Sequence, residues 1–295
     1  MRSKHLITAA LIFGVLLTAP ANAQHPIDVQ RLSAKGEHFD ALVAYQKLPK
    51  RRTTSEAVNA AARSAWALSL PKLAIEEFDK VLQDKNLDQV ERARVYLSRG
   101  IIEFQEDRFQ VAQLYAEKSL ALLDEPSPLR SKVWFLWGES LERLGQYGPA
   151  EEKYAKALEE SLKEEKGDIY FSLGSCQLRL GKFEKARENF EQVPLRHDKT
   201  DIAMRRLAQL ALQAGQHEQA EFWLIKGRSD YPESFLDSWV DYAMLKIAIK
   251  KNDRQQAEEV TERARKQYPP SDPWLVLLES VYAQYRWKSS SQIED

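Results

Sequence analysis

His217-Glu218-Gln219-Ala220-Glu221 is the stretch of this chain that comes nearest to a catalytic motif. A zinc protease carries H-E-x-x-H on a helix, because two imidazoles one turn apart share a face and grip the metal while the Glu serves as base. Here Glu221 stands where the second imidazole is needed. His25, His38 and His197 show no ligand spacing and read as surface or loop residues. Gly138-Glu139-Ser140-Leu141-Glu142 starts like the turn that exposes a nucleophilic Ser, but it lacks the second Gly and lies within a helical pattern. The single cysteine, Cys176, sits near Leu173 and Leu180 on a helical stripe and reads as a small core residue rather than a reactive thiol. There is no Gly-rich phosphate loop. The residues therefore predict no enzyme, no cofactor and no bound metal; a metal-binding or enzymatic helical array is the remote alternative.

The chain's ends and charge narrow its setting. Residues 1–23 place Arg2 and Lys4 before an apolar stretch from Leu6 to Ala19, then Ala21-Asn22-Ala23, the pattern of a secretory signal with an A-x-A cleavage site. The stretch is shorter than the roughly 18 apolar residues of a membrane span, and no Cys stands at the junction for a lipid anchor. Cleavage after Ala23, a mature chain from Gln24, and a periplasmic location without membrane insertion are the expectations. Removing the leader takes two of the 43 Lys+Arg and none of the 44 Asp+Glu, which leaves a net charge of −3 and nothing that recruits nucleic acid. One cysteine excludes an intramolecular disulfide despite export, so stability must come from burial by the 43% of residues that are hydrophobic.

The elements that position any function recur along the chain. A small or turn-forming residue, an Ala five positions on, a residue four beyond that, and a small or apolar one three later appear seven times. The sets are Gly36-Ala41-Tyr45-Leu48, Ser69-Ala74-Phe78-Val81, Asp107-Ala112-Ala116-Ser119, Gly145-Ala150-Tyr154-Ala157, Gly181-Ala186-Phe190-Val193, Gly215-Ala220-Leu224-Gly227 and Asn252-Ala257-Thr261-Ala264. The alanines are spaced by 33 to 38 residues. Before each set lies another apolar stripe, clearest in Trp134, Trp137, Gly138, Leu141 and Leu144, so each unit is a helical hairpin. The turn residue supplies a left-handed backbone that ends the first helix, and Gly100, Gly138 and Gly174 with the central alanines let helices approach closely. Longer links are expected near Lys85-Asn86, at 125–128 and near Tyr231-Pro232. The stripes of Trp134, Trp137 and Trp274 read as core, and 273–287 reads as a further helix that caps the last hairpin, before a polar tail at 288–295.

These residues resemble the tetratricopeptide repeat family, whose 34-residue signature runs W, L-G, Y, A, F, A, P. The match is best at 131–164, through Trp134, Gly138, Leu141, Ala150, Tyr154 and Ala157, and good at 167–200 and 201–234; it weakens at the first unit, which keeps little of its first helix, and at Thr261. The organelle RNA-binding repeats of similar length need a basic groove that is missing here, and Sel1-like repeats have a different small-residue pattern. The resemblance implies an all-α, right-handed superhelical solenoid of about seven hairpins over 24–287, with units near 24–54, 55–92, 93–130, 131–166, 167–200, 201–237 and 238–270 and a capping helix at 271–287.

It also implies a use. The family's first helices line a concave groove that holds an extended peptide or partner helix. Carried over position by position, that groove selects Asn59, Arg63, Arg94, Phe104, Phe135, Glu139, Phe171, Arg179, Arg205, Arg206 and Gln209 as partner-binding residues. Arg and aromatic side chains are common among interface hot spots. Asn59, Arg63, Ser98 and Lys132 fit part of the family's carboxylate clamp, but Leu136 replaces its second cation, so no clamp is assigned. The expected function is an interaction scaffold of the cell envelope, serving a secretion, pilus, polysaccharide-export or outer-membrane assembly through protein partners. Self-assembly through the end repeats into a homo-oligomer is the rival. Replacing Arg205 and Arg206 with Glu is expected to weaken partner binding without altering melting.

Overall fold

The apolar stripes fold as fifteen α-helices, with no strand, among the described residues 25–291 of the computed structural model; side chains are described for 25–288. The expected leader and the end of the tail lie outside them. One compact unit ends at Gln146 and a second begins at Tyr147. The first contains α1 (Pro26–Ala34), α2 (His38–Gln46), α3 (Ser55–Ala67), α4 (Pro71–Leu82), α5 (Gln89–Gln105), α6 (Phe109–Leu120) and α7 (Pro128–Arg143). The second contains α8 (Tyr147–Glu160), α9 (Lys166–Arg179), α10 (Phe183–Glu191), α11 (Thr200–Gln213), α12 (His217–Asp230), α13 (Ser238–Lys250), α14 (Arg254–Gln267) and α15 (Pro273–Ser291). Within the units α1/α2, α3/α4, α5/α6, α9/α10, α11/α12 and α13/α14 pack as hairpins. The first helix that the sequence only hints at, α1, has nine residues and a fully buried Val29.

The seven turn residues share one backbone solution. Gly36, Ser69, Asp107, Gly145, Gly181, Gly215 and Asn252 all have positive φ, between 56° and 78°. At each, the turn residue donates its N–H to the carbonyl three residues back and the next residue donates to the carbonyl five back, as in Gly181 N to Leu178 O and Lys182 N to Gln177 O, both near 3 Å. This pair of hydrogen bonds satisfies carbonyls that a helix end otherwise leaves open. It uses backbone only, which is why Ser, Asp and Asn can replace Gly, at a strain of about 1–2 kcal/mol for an L-residue in the left-handed region.

Each turn leads into a second helix whose central Ala is fully buried: Ala41, Ala74, Ala112, Ala150, Ala186, Ala220 and Ala257 all have no exposed surface. The facing first helix is small where it must be. A Cβ on Gly174 would stand 3.0 Å from the Phe190 ring and 3.2 Å from the Ala186 carbonyl, and one on Gly100 would meet Leu136 at 2.8 Å and the Ala112 carbonyl at 3.4 Å. Gly227 is tighter still, because the ring of Phe235 lies 2.2 Å from its missing Cβ. Phe235 belongs to the short 3₁₀ link Pro232–Phe235, and Arg205 fastens that link: it bonds Asp237 and the Ser234 carbonyl, with its guanidinium 5.3 Å from the Phe235 ring centre and 5.4 Å from that of Trp239. Thr261, which breaks the sequence pattern, is buried with its hydroxyl donated to the Ala257 carbonyl at 2.7 Å.

Polar groups tie successive hairpins together. In the first unit the buried Arg99 donates to Asp79, Glu103 and Tyr115 at 2.9, 2.6 and 2.9 Å, joining α4, α5 and α6. In the second, the fully buried Asp241 accepts from Arg228, Arg263 and the Tyr268 hydroxyl, joining α12, α13 and α14. A further pair recurs one residue after the central Ala: Glu151 accepts from Lys182 and Gln177, and Glu221 from Lys251 and Gln256. Burial raises the Glu151 carboxyl, but the hydrogen bonds from Lys182 and Gln177 outweigh it and hold its pKa below the ordinary 4.5; Glu221 behaves alike through Lys251 and Gln256.

Two outcomes follow from these contacts. Ala186→Leu must overpack the contact with α9 and cost roughly 1–3 kcal/mol, read as a lower denaturation midpoint; an unchanged midpoint contradicts the register. A lowered carboxyl pKa contributes stability that is present above the unfolded value and lost as pH falls through the native one. The melting temperature should therefore fall on acidification below the ordinary carboxyl pKa, and Glu151→Gln, already without that contribution, should fall less over the same range.

Candidate partner-binding surface

The first helices carry the eleven residues expected to meet a partner, six in the first unit and five in the second. On α3, Arg63 is exposed and bonded to none of the described residues, and Asn59 is half-buried beside it on the same helix face. Trp66, one turn further, donates its indole N–H to Gln105 at the end of α5 over 2.9 Å, which links the faces of the two helices. Arg94 on α5 is exposed and reaches only Glu91, at 3.5 Å. Phe104 is half-buried, edge-on to Phe109 at 5.4 Å and capped by the guanidinium of Arg143 at 5.6 Å. Phe135 and Glu139 on α7 are half-buried and engaged with neighbours.

In the second unit Arg179 on α9 is exposed and bonded to none of the described residues, while Arg206 on α11 is exposed and donates to Gln209 at 2.9 Å. Ile202 lies beside them, 42% exposed. Phe171 is half-buried, edge-on to the buried Phe190 at 5.7 Å, with the Lys199 ammonium 5.2 Å from its ring centre. Lys199 in turn pairs with Asp168 at 2.8 Å. Arg205 departs from expectation. Its guanidinium is committed to Asp237, Ser234 and the Phe235 ring, so the double replacement at Arg205 and Arg206 cannot leave melting unaltered.

A separate cleft of about 180 Å³ is walled by Phe183, Glu184, Arg187, Leu210, Gln213, Ala214 and Gln216. The spacing of the repeats gave no sign of it, because it forms where the start of α10 meets the end of α11. Arg187 lines it with Nη2 bonded to Glu184 at 2.7 Å and Nε without a partner among the described residues.

Other residues with chemical potential are absorbed by the fold. Cys176 is fully buried and its thiol donates to the Tyr147 carbonyl at 3.0 Å. Glu221 of the His217 motif is held by Lys251 and Gln256. Trp134 and Trp137 are half-buried and stacked on each other at 5.7 Å. Trp274, expected in the core, is instead 39% exposed and leans on Tyr242, because Leu275 and Leu278 point to α13 and α14 in its stead. Among the described residues no helix is long and apolar enough to cross a membrane.

The comparisons with known proteins agree with this geometry. The sequence profile of the tetratricopeptide repeat family matches residues 135–195 and 171–224. No curated protein matches the sequence. Among solved structures, the C-terminal part of a TPR repeat-containing protein from Cytophaga hutchinsonii superposes with a TM-score of 0.69 at 12% identity, over 86% of this chain and 99% of that one. YrrB, described as a TPR protein with an unusual peptide-binding site, gives 0.58 at 17% identity over 70% and 100%. PilW, described as a widely conserved type IV pilus biogenesis factor, gives 0.54 at 18% identity over 76% and 97%. At such identities the likeness is one of fold. Residues 135–224 thus match the tetratricopeptide repeat family, and the same turn and buried alanine recur on both sides of them.

Proposed function

We propose that this protein is a non-enzymatic scaffold that holds a segment of another protein, an extended peptide or a helix, along the first helices of its hairpins. The observation that carries this reading is the unspent bonding capacity there. Arg63 and Arg179 are exposed with no bonded neighbour among the described residues, and Arg206 spends one contact on Gln209. The first helices also carry rings, Phe104 in one unit and Phe171 in the other, that packing holds in place. Fixed aromatic surface and uncommitted guanidinium groups on the first helices suit a partner that brings carboxylates and apolar side chains.

The same reading places the scaffold in the cell envelope, as an exported protein. It rests on the leader pattern of residues 1–23 and is in keeping with the pilus role stated for PilW. Within the envelope, the proposed service is to a secretion, pilus, polysaccharide-export or outer-membrane assembly.

Two experiments test the proposal. Protein recovered from the producing cell should begin at Gln24 on N-terminal sequencing; an intact leader in a cytoplasmic fraction contradicts export. In affinity purification from envelope extracts, Arg179→Glu with Arg206→Glu should deplete the co-purifying partner about tenfold or more, as loss of two charged contacts implies, while melting stays as in the parent. Arg205→Glu should instead lower the melting temperature, since it unfastens the Pro232–Phe235 link. Undiminished recovery with the first pair removes this face as the binding site.

A further inference from the structure

The link between the first two hairpins differs in charge from those that follow. Residues 47–54, between α2 and α3, hold Lys47, Lys50, Arg51 and Arg52 and no acid, whereas each later link between hairpins carries at least one Asp or Glu. In a chain with 43 Lys+Arg against 44 Asp+Glu the excess is local. All four side chains are exposed and bonded to none of the described residues, and residues 1–24 contain no acid that could pair with them. The link keeps its shape without them. Leu48 is buried in the core of these hairpins, and the Pro49 carbonyl accepts from the Arg52 amide at 2.8 Å and the Thr53 hydroxyl at 3.3 Å, closing the 3₁₀ turn Lys50–Arg52. The fold therefore uses none of the four charges.

The end of the link lies beside the start of α1, where His25, Ile27, Gln30, Arg52 and Glu56 line one open concavity. Acids offset little of the charge at this edge. Asp28 is paired with Arg31 at 3.0 Å and Asp84 accepts from the Ser55 hydroxyl, which leaves Glu56 against the four cations. Both α1 and α3 begin here, so the positive ends of two helix dipoles add to the field. Ile27 shares the concavity with Arg52 and is 61% exposed. A soluble polyanion would pair with the cations and leave the Ile27 alkyl chain in water. A bilayer offers both, phosphate at its surface and hydrocarbon beneath. We propose that this edge docks on a bilayer that carries anionic phospholipid, with Lys47, Lys50, Arg51 and Arg52 against the phosphodiester groups and Ile27 below them. A cation close to such a surface strengthens attachment about fivefold, so four of them with one alkyl anchor give binding that is reversible and falls with salt. The docking uses none of the residues assigned above to a protein partner, and it stands whether or not that reading holds.

Co-sedimentation of the protein recovered from the producing cell with lipid vesicles provides the test. Vesicles of phosphatidylcholine with about one third phosphatidylglycerol should bind it about tenfold or more tighter than phosphatidylcholine alone, and raising the salt from about 0.1 to 0.5 M should release it. Inorganic phosphate at matched ionic strength should not. Lys50→Glu with Arg51→Glu should weaken binding to the anionic vesicles about tenfold or more, and Ile27→Ser about threefold. These side chains are exposed, so an unchanged melting temperature serves as the control for folding. Arg179→Glu with Arg206→Glu should bind vesicles as the parent does, which separates this result from the outcome at the partner-binding face. A parent that binds neither kind of vesicle overturns the proposal, as does one that binds both equally, the result an uncut leader would give. So does undiminished binding by either the link pair or Ile27→Ser, an equal loss with the Arg179 and Arg206 pair, or release by phosphate, which marks a site for a free ion.

Discussion

The close contact at the central alanine is the constraint on which the rest of the structure depends. A second helix can lie flat on its neighbour only if both present little bulk at the crossing, and the seven buried alanines, with Gly100 and Gly174 opposite two of them, provide that. Once the helices are this near, the ring at the following anchor, Phe78 or Phe190, has one place to go, and it fills the gap between hairpins. The turn before the alanine needs only its backbone, so its side chain is free to vary. The links after the hairpin take up the differences in length between units. Packing is thus invariant where backbones touch and tolerant elsewhere.

Specificity between hairpins comes from polar groups superimposed on that packing. Arg99 and Asp241 are buried charges with several partners each, and each joins three helices. A buried charge that loses a partner is costly, on the order of 3–5 kcal/mol, so these residues disfavour any slip of one hairpin along the next. Apolar stripes alone would accept several registers. The clusters around Arg99 and Asp241 accept one.

The fold was legible in the sequence because its determinants are local and repeated. Period, turn residue and central alanine could be read directly, and Thr261 was the only anchor whose burial the pattern failed to anticipate. The binding face was legible by position but not by use. Arg205 and Arg206 are adjacent in sequence and similar in chemistry, yet one is consumed by the Pro232–Phe235 link and the other faces outward. That difference depends on Gly227 admitting Phe235, a contact between residues with no periodic relation. The last helix reads as a cap because its buried stripe is amphipathic enough to qualify, whereas the exposure of Val276 and Trp287 on its other side could not be read from the pattern.

The lone thiol gives the fold an internal clock. Cys176 lies with no exposed surface beneath the Tyr147 carbonyl, so an oxidant, an alkylating reagent or a second thiol can reach it only while α8 and α9 are apart. In an oxidising compartment an accessible single cysteine would in time join chains covalently. Wherever the chain meets an oxidant, the rate at which Cys176 reacts is set by how often that helix pair opens.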